Sequence, residues 1–146
     1  GFVPRTYCDE TVRALMPGAT KGDGDPLDIC VFSERPINRG EIILNVKVVG
    51  GLQMLDDGEA DDKIIAVAAN DMSVNHINDA SDLPEHFKKE IQNFFEDYKK
   101  LENKTVEVAE IQGKDVAIEI VKKSLIDYMI HFSTPQNQNP NFAPMM

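Results

Sequence analysis

Three carboxylates fall within the six residues Asp23-Gly24-Asp25-Pro26-Leu27-Asp28, locked between a glycine and a proline. Anions this close repel one another, by about 1 kcal/mol per pair at 4 Å in bulk water and more near a protein surface. Such a stretch suits a turn with a cation among its oxygens, and hard divalent ions are the natural occupants. A second acidic cluster, Asp56-Asp57-Gly58-Glu59-Ala60-Asp61-Asp62, follows about thirty residues later and ends in Lys63. Either cluster alone reads equally well as a polar turn or an acidic surface hairpin. Together, each at a strand end with lysine at the rim, they point to several Mg²⁺ ions and a phosphate-bearing substrate.

Composition narrows the class. The 146 residues, 42% hydrophobic and 27% charged, suit one globular domain spanning 1–146. No apolar run approaches the roughly 20 residues that span a bilayer, and no signal pattern opens the chain, so no membrane is expected. A net charge of −10 argues against nucleic acid as a partner. Cys8 and Cys30 are too few for a disulfide framework and predict reduced thiols in a cytoplasmic protein. Gly1-Phe2-Val3-Pro4 opens without an initiator methionine, and the expectation is a chain cut or processed upstream.

Strands precede helices. Residues 1–22 read as loop or extended chain without a helical period. Ile29-Cys30-Val31-Phe32 predicts a buried strand, and Ile42 to Val49 a long one bent by Gly50-Gly51. Ile64 to Ala68 predicts another strand, which leaves the second acidic cluster in a hairpin-like connection. Asp82-Leu83-Pro84-Glu85 predicts a capped helix start, followed by an apolar face at Phe87, Ile91, Phe94, Phe95, Tyr98 and Leu101. Thr105 to Ile111 alternates as a strand, Gln112-Gly113-Lys114 reads as a turn, and Asp115 is expected to cap a last helix over about 116–131. The Asn-, Gln- and Pro-rich residues from about 133 to 146 read as a tail. The order predicts an α+β fold, best drawn as a small curved sheet closing into a barrel with two C-terminal helices.

Other chemistries fit poorly. As an EF-hand, the first cluster would put Leu27 at the fifth loop position and Asp28 where glycine is required. His76, His86 and His131 form no metal spacing, and no serine elbow, phosphate-binding P-loop or dinucleotide fingerprint is present. Lys63 taken alone is a solvated lysine, Tyr98 a core tyrosine with a wet hydroxyl, and Lys99 a macrodipole partner.

In combination these segments resemble a known family, the soluble Mg²⁺-dependent inorganic pyrophosphatases built on an OB-like barrel, closed or partly open. Residues 23–28 are similar to that family's D-x-D-P-x-D signature, and Met54 to Val67 to its second metal-binding segment. Asp82-Leu83-Pro84 leading to Phe94-Phe95-Glu96-Asp97-Tyr98-Lys99 resembles its helix with a Tyr-Lys pair, and the likeness runs to about residue 125. It implies hydrolysis of diphosphate to two phosphates, with Mg²⁺ as cofactor and Mn²⁺ or Zn²⁺ as possible substitutes, in a homo-oligomer. It further implies that Asp23, Asp28 and Asp61 hold the tightest ion, with Asp28 bridging to a second. Asp56 and Asp61 would hold one that arrives with substrate. Asp25 would accept the proton of the attacking water, and Lys63, Tyr98 and Lys99 would contact phosphate. Two departures stand out. Tyr7 to Gly22 is longer than the compact link of short bacterial members, and the family's upstream substrate residues have no counterpart here, which would leave strand edges unpaired. A metal- and phosphate-binding fragment with impaired catalysis is therefore the alternative, with an OB-fold nucleic-acid binder behind it.

Overall fold

The computed structural model describes residues 1–133. In chain order the elements are α1 (Glu10–Arg13), β1 (Lys21–Gly22), β2 (Asp28–Phe32), β3 (Val46–Asp56), β4 (Glu59–Ala60), β5 (Lys63–Ala68), a 3₁₀ turn (Ala80–Asp82), α2 (Glu85–Lys100), β6 (Val106–Gly113) and α3 (Lys114–Ser133). The sheet is built on β3. One edge of β3 pairs antiparallel with β5, from Val46 opposite Ala68 to Leu52 opposite Lys63, and then with β4. Its other edge pairs antiparallel with β6, from Gly50 opposite Gly113 to Asp56 opposite Val106. β2 lies parallel to β5, and β1 parallel to β4. The register of β3 shifts between Val48 and Gly50 against β5, and between Leu52 and Met54 against β6. Such irregularities bend a strand and increase its twist, and here they curl the sheet. β1 and β2 end the strand order without pairing to each other, so the expected α+β barrel is a partly open one.

Both faces of the sheet are covered, which is why β5 reads as continuous apolar sequence from Ile64 to Ala68 and is buried throughout. Ile64 packs with Cys8, Val12, Leu27, Ala117 and Ile120 on one side. Ile65 and Val67 pack with Val49, Ile77, Ala80 and Leu83 on the other. Leu52 and Met54 receive Phe95 of α2.

Several boundaries differ from the sequence expectation, each for a local reason. The strand expected from Ile42 starts at Val46, because Val46 already pairs with Ala68 at the end of β5; Ile43 is 98% exposed. Gly50-Gly51 does not interrupt β3. A Cβ on Gly50 would lie 2.7 Å from the Gln112 carbonyl oxygen and 2.8 Å from the Ala80 Cβ, so the bare backbone lets neighbours close in. Asp82 does not cap α2. Its carboxylate accepts the Asn78 and Asp79 amides at 3.0 and 3.2 Å within a capping box led by Asp79, and Pro84 precedes the helix instead. The expected turn at 112–114 is absent. β6 runs to Gly113, α3 starts at Lys114, and Asp115 lies in its first turn. On α2 only Phe95 of the apolar face is buried. Residues 1–22 contain α1 and β1 as well as loop. The tail read from about 133 lies outside the described residues, apart from Ser133. Among the described residues no helix is long and apolar enough to cross a membrane.

Candidate active site

Two adjacent interruptions in the sheet build the site. β1 and β4 run side by side, as do β2 and β5, but the five residues Asp23 to Leu27 that join β1 to β2 face only Asp61 and Asp62 on the neighbouring chain. The first loop therefore bulges, and its carboxylates stand opposite those of the second. The loop is tied at several points. Asp23 N–H donates to the Ala60 carbonyl at 3.2 Å, Asp25 N–H to Asp23 Oδ1 at 3.0 Å, and Leu27 N–H to Thr6 Oγ1 at 2.9 Å. Gly22 is needed beside it, since a Cβ there would lie 2.2 Å from the Cys8 carbonyl oxygen. The second cluster turns at Asp57 and Gly58, both with positive φ (51° and 82°), which brings Leu55-Asp56 against Glu59-Ala60.

A cavity of about 550 Å³ opens between these loops and α2. All eight residues singled out from the sequence line it: Asp23, Asp25, Asp28, Asp56, Asp61, Lys63, Tyr98 and Lys99. Lys63 Nζ donates to Asp61 Oδ1 at 2.6 Å and to Asp28 Oδ2 at 2.7 Å. Lys99 Nζ, brought in by the last turn of α2, donates to Asp56 Oδ2 at 2.6 Å and lies 4.0 Å from Asp61 Oδ2. Lys63 also sits 5.8 Å from the Phe95 ring centre, so the buried ring closes the cavity floor against its ammonium. Among the described residues no three carboxylate, imidazole or thiol groups form a ready metal cage; lysine ammonium groups stand between the carboxylates instead.

The electrostatics follow from crowding. Burial and a hydrogen bond with Asp61 push the Asp23 carboxyl well above the usual carboxylate range. Burial, followed by the Asp61 charge, pushes Asp62 up to about 7. Burial alone would lower the Lys63 ammonium, but Asp61 and Asp28 outweigh it and raise it. The hydrogen bond to Asp56 likewise raises Lys99. Among the described residues Asp56 Oδ1 is buried without a hydrogen-bond partner, and the Asp62 carboxylate has none beyond the Met54 amide.

The cavity also gathers residues that sequence reasoning missed. Lys104 reaches to 4.0 Å from Asp56 Oδ2, and Glu59, Cys30 and Phe95 line the walls. Glu59 belonged to a cluster already noticed, whereas Lys104 stands alone after α2 with no pattern to mark it. A larger cavity of about 650 Å³ lies among Glu34, Leu44, Asn70 and Met72. It has no lysine or arginine, and the Asp71 carboxylate in it is occupied by the Glu34 amide and by Ser73.

A curled open sheet with an acidic, lysine-rimmed cavity at two facing loops defines a class, and comparison identifies it. The family model for inorganic pyrophosphatase matches residues 1–129. Soluble inorganic pyrophosphatase 2 of Chlamydomonas reinhardtii is 43% identical over 132 residues, which cover 90% of this chain and 62% of the relative. Soluble inorganic pyrophosphatase 4 of Arabidopsis thaliana is 41% identical over 133 residues, covering 89% and 55%. The structure of inorganic pyrophosphatase from Schistosoma japonicum superposes with a TM-score of 0.81 at 30% identity, covering 96% of this chain and 51% of that one. The chain belongs to the inorganic pyrophosphatase family. It spans little more than half the length of these curated relatives.

Proposed function

We propose that this cavity hydrolyses inorganic diphosphate to two phosphates with the help of divalent metal ions. The observation that carries the reading is the convergence of five aspartates, two lysines and a tyrosine from three separate segments on one cavity of about 550 Å³.

The residues fit metal ions. Six carboxylates and three lysines line the cavity, so a polyanionic substrate would be repelled unless further cations entered. Asp56 Oδ1 has no donor among the described residues, and all the acidic groups offer the oxygen ligands that Mg²⁺ prefers. Asp23, Asp28 and Asp61 would hold the tightest ion, with Asp28 shared with a second; Asp56 and Asp61 would hold an ion accompanying the substrate. Bound there, such ions would supply charge neutralisation for the diphosphate and a lowered pKa for a bound water molecule.

The remaining steps belong to the chain's own side chains. Asp25, exposed at the tip of its loop, accepts the proton of the attacking water. The water oxygen bonds to one phosphorus, the bridging P–O bond breaks, and its electron pair leaves on the second phosphate. Lys63 and Lys99 are already fixed by carboxylates at the cavity wall, so they meet developing negative charge with little reorganisation. Tyr98, half exposed beside Lys99, offers its hydroxyl as a further donor. The same reading extends to Mg²⁺ as the working ion, a cytoplasmic setting with Cys8 and Cys30 as free thiols, and a homo-oligomer.

The test is Asp25→Asn. Turnover of pyrophosphate should fall at least about a hundredfold, while calorimetric Mg²⁺ affinity is largely kept because none of the proposed ligands is altered. Comparable turnover in the variant would remove Asp25 from this role.

A further inference from the structure

α1 is four residues long, and Asp9 before it makes no side-chain capping bond. Its amides are satisfied from the far end of the chain. Asp127, in α3 and only 3% exposed, accepts Asp9 N–H at 3.0 Å and Val12 N–H at 2.9 Å on Oδ2, and Thr11 N–H at 3.0 Å on Oδ1. The peptide unit that gives Asp127 its Asp9 N–H has a second end. The Cys8 carbonyl of that unit accepts Gly24 N–H at 3.0 Å, and the neighbouring Cys8 N–H donates to the Asp25 carbonyl at 3.0 Å. One peptide plane thus joins the Asp127 carboxylate to the loop that carries Asp23 and Asp25.

We propose that Asp127 is a positioning residue for this loop, setting Asp23 and Asp25 at their distance from Asp61; the inference rests on reading the cavity as a metal and phosphate site. Asp127 lines no part of the cavity and acts through the backbone of residues 8 and 9. The helix that carries it is itself anchored, because Ala117 of α3 lies against Gly51 of β3, the strand that ends in Asp56. Tyr7 N–H adds a bond to the Ser124 carbonyl at 3.1 Å on the same helix. Both acidic loops are in this way referred to α3. Without the Asp127 carboxylate, three amides lose their acceptor. Cys8 and Val12 remain held in the core by Leu27, Ile64 and Ile120, so the segment shifts rather than unfolds.

The test compares Asp127→Asn and Asp127→Ala with Asp79→Ala. The last also strips a carboxylate from backbone amides, those of Ser81 and Lys114, but lies outside the cavity. Mn²⁺ affinity of the metal-free chain, read by calorimetry, is set beside the melting temperature and beside kcat and KM for pyrophosphate. All three variants should melt lower. Only the Asp127 variants should bind Mn²⁺ about tenfold or more weakly, the loss expected when support behind a ligand set is removed. Their kcat should fall with KM changed less than about threefold, and Asn, which keeps one acceptor oxygen, should lose less than Ala. Wild-type Mn²⁺ affinity in Asp127→Ala, or an equal loss in Asp79→Ala, would overturn the proposal. If Asp127→Ala does not fold, the Mn²⁺ affinity of Asp127→Asn decides. Binding is read without turnover, so a chain that binds Mn²⁺ but leaves pyrophosphate intact counts against the hydrolysis and still judges Asp127. A wild-type chain that binds no Mn²⁺ overturns both.

Discussion

Asp62 shows how much the position of one carboxylate matters. It is 1% exposed, its two oxygens find no partner among the described residues beyond the Met54 amide, and it lies beside Asp61, which Lys63 holds at 2.6 Å. Asp61 thus bonds an ammonium directly and Asp62 does not, although the two are neighbours in an acidic run. Burying an unpaired polar group costs on the order of 1–3 kcal/mol. Asp62→Asn, of nearly the same volume and never charged, should therefore stabilise the metal-free chain at pH 8 by roughly that amount, measured as a shift in urea midpoint without change in slope. An unchanged or lower midpoint would show that the charge is already compensated. At this scale the sequence was informative where chemistry is contiguous. The DGDPLD stretch and the acidic hairpin announce themselves by density, and the lysine that ends the second cluster by adjacency. Lys104 and Asp127 were invisible, because each acquires its meaning from residues far away in sequence; Asp127 reaches amides more than a hundred positions upstream.

At the scale of elements, side chains from other elements decide where helices begin. Asp79 accepts Ser81 N–H at 2.9 Å within its own turn and Lys114 N–H at 2.8 Å at the start of α3, so one carboxylate starts two elements. The Lys114 amide, followed by that of Ser81, holds its carboxyl below the usual range. A depressed value means stability that is present above the unfolded value near 3.9 and lost as pH falls through the folded one. Asp79→Ala should cost about 1 kcal/mol at pH 7, and its gap from wild type in denaturant titrations should close below about pH 4. A gap as wide at pH 3 as at pH 7 would assign the loss to packing. Gly22→Ala is expected to be costlier, about 2 kcal/mol or more, because the new methyl meets Cys8 backbone rather than a side chain that can swing away. Strands with long β-branched runs were readable, as were the two long helices. The four-residue α1 and the two-residue β1 and β4 were not, since they are shorter than any period and exist through tertiary bonds. Residues 42–44 misled for the converse reason: they have strand composition but no strand opposite them.

Over the whole molecule, the sheet places more negative than positive charge around one cavity, six carboxylates against three lysines. A folded state with that imbalance is stabilised by whatever cation binds it and not the unfolded chain. Mg²⁺ at a hundred times its dissociation constant should add about 2.7 kcal/mol. The melting temperature should rise accordingly, return on chelation, and stay unmoved by NaCl at equal ionic strength; an equal rise with NaCl would reduce the effect to screening. The chain spans 62% and 55% of two curated relatives, and within that span lie both acidic loops and the lysines of α2. Phosphate release from pyrophosphate by these 146 residues, with and without Mg²⁺, tests the central claim most directly. Release should require Mg²⁺ and disappear in Asp25→Asn. Mg²⁺ bound with no phosphate released would contradict it, and would mean that the cavity holds ions without performing the hydrolysis.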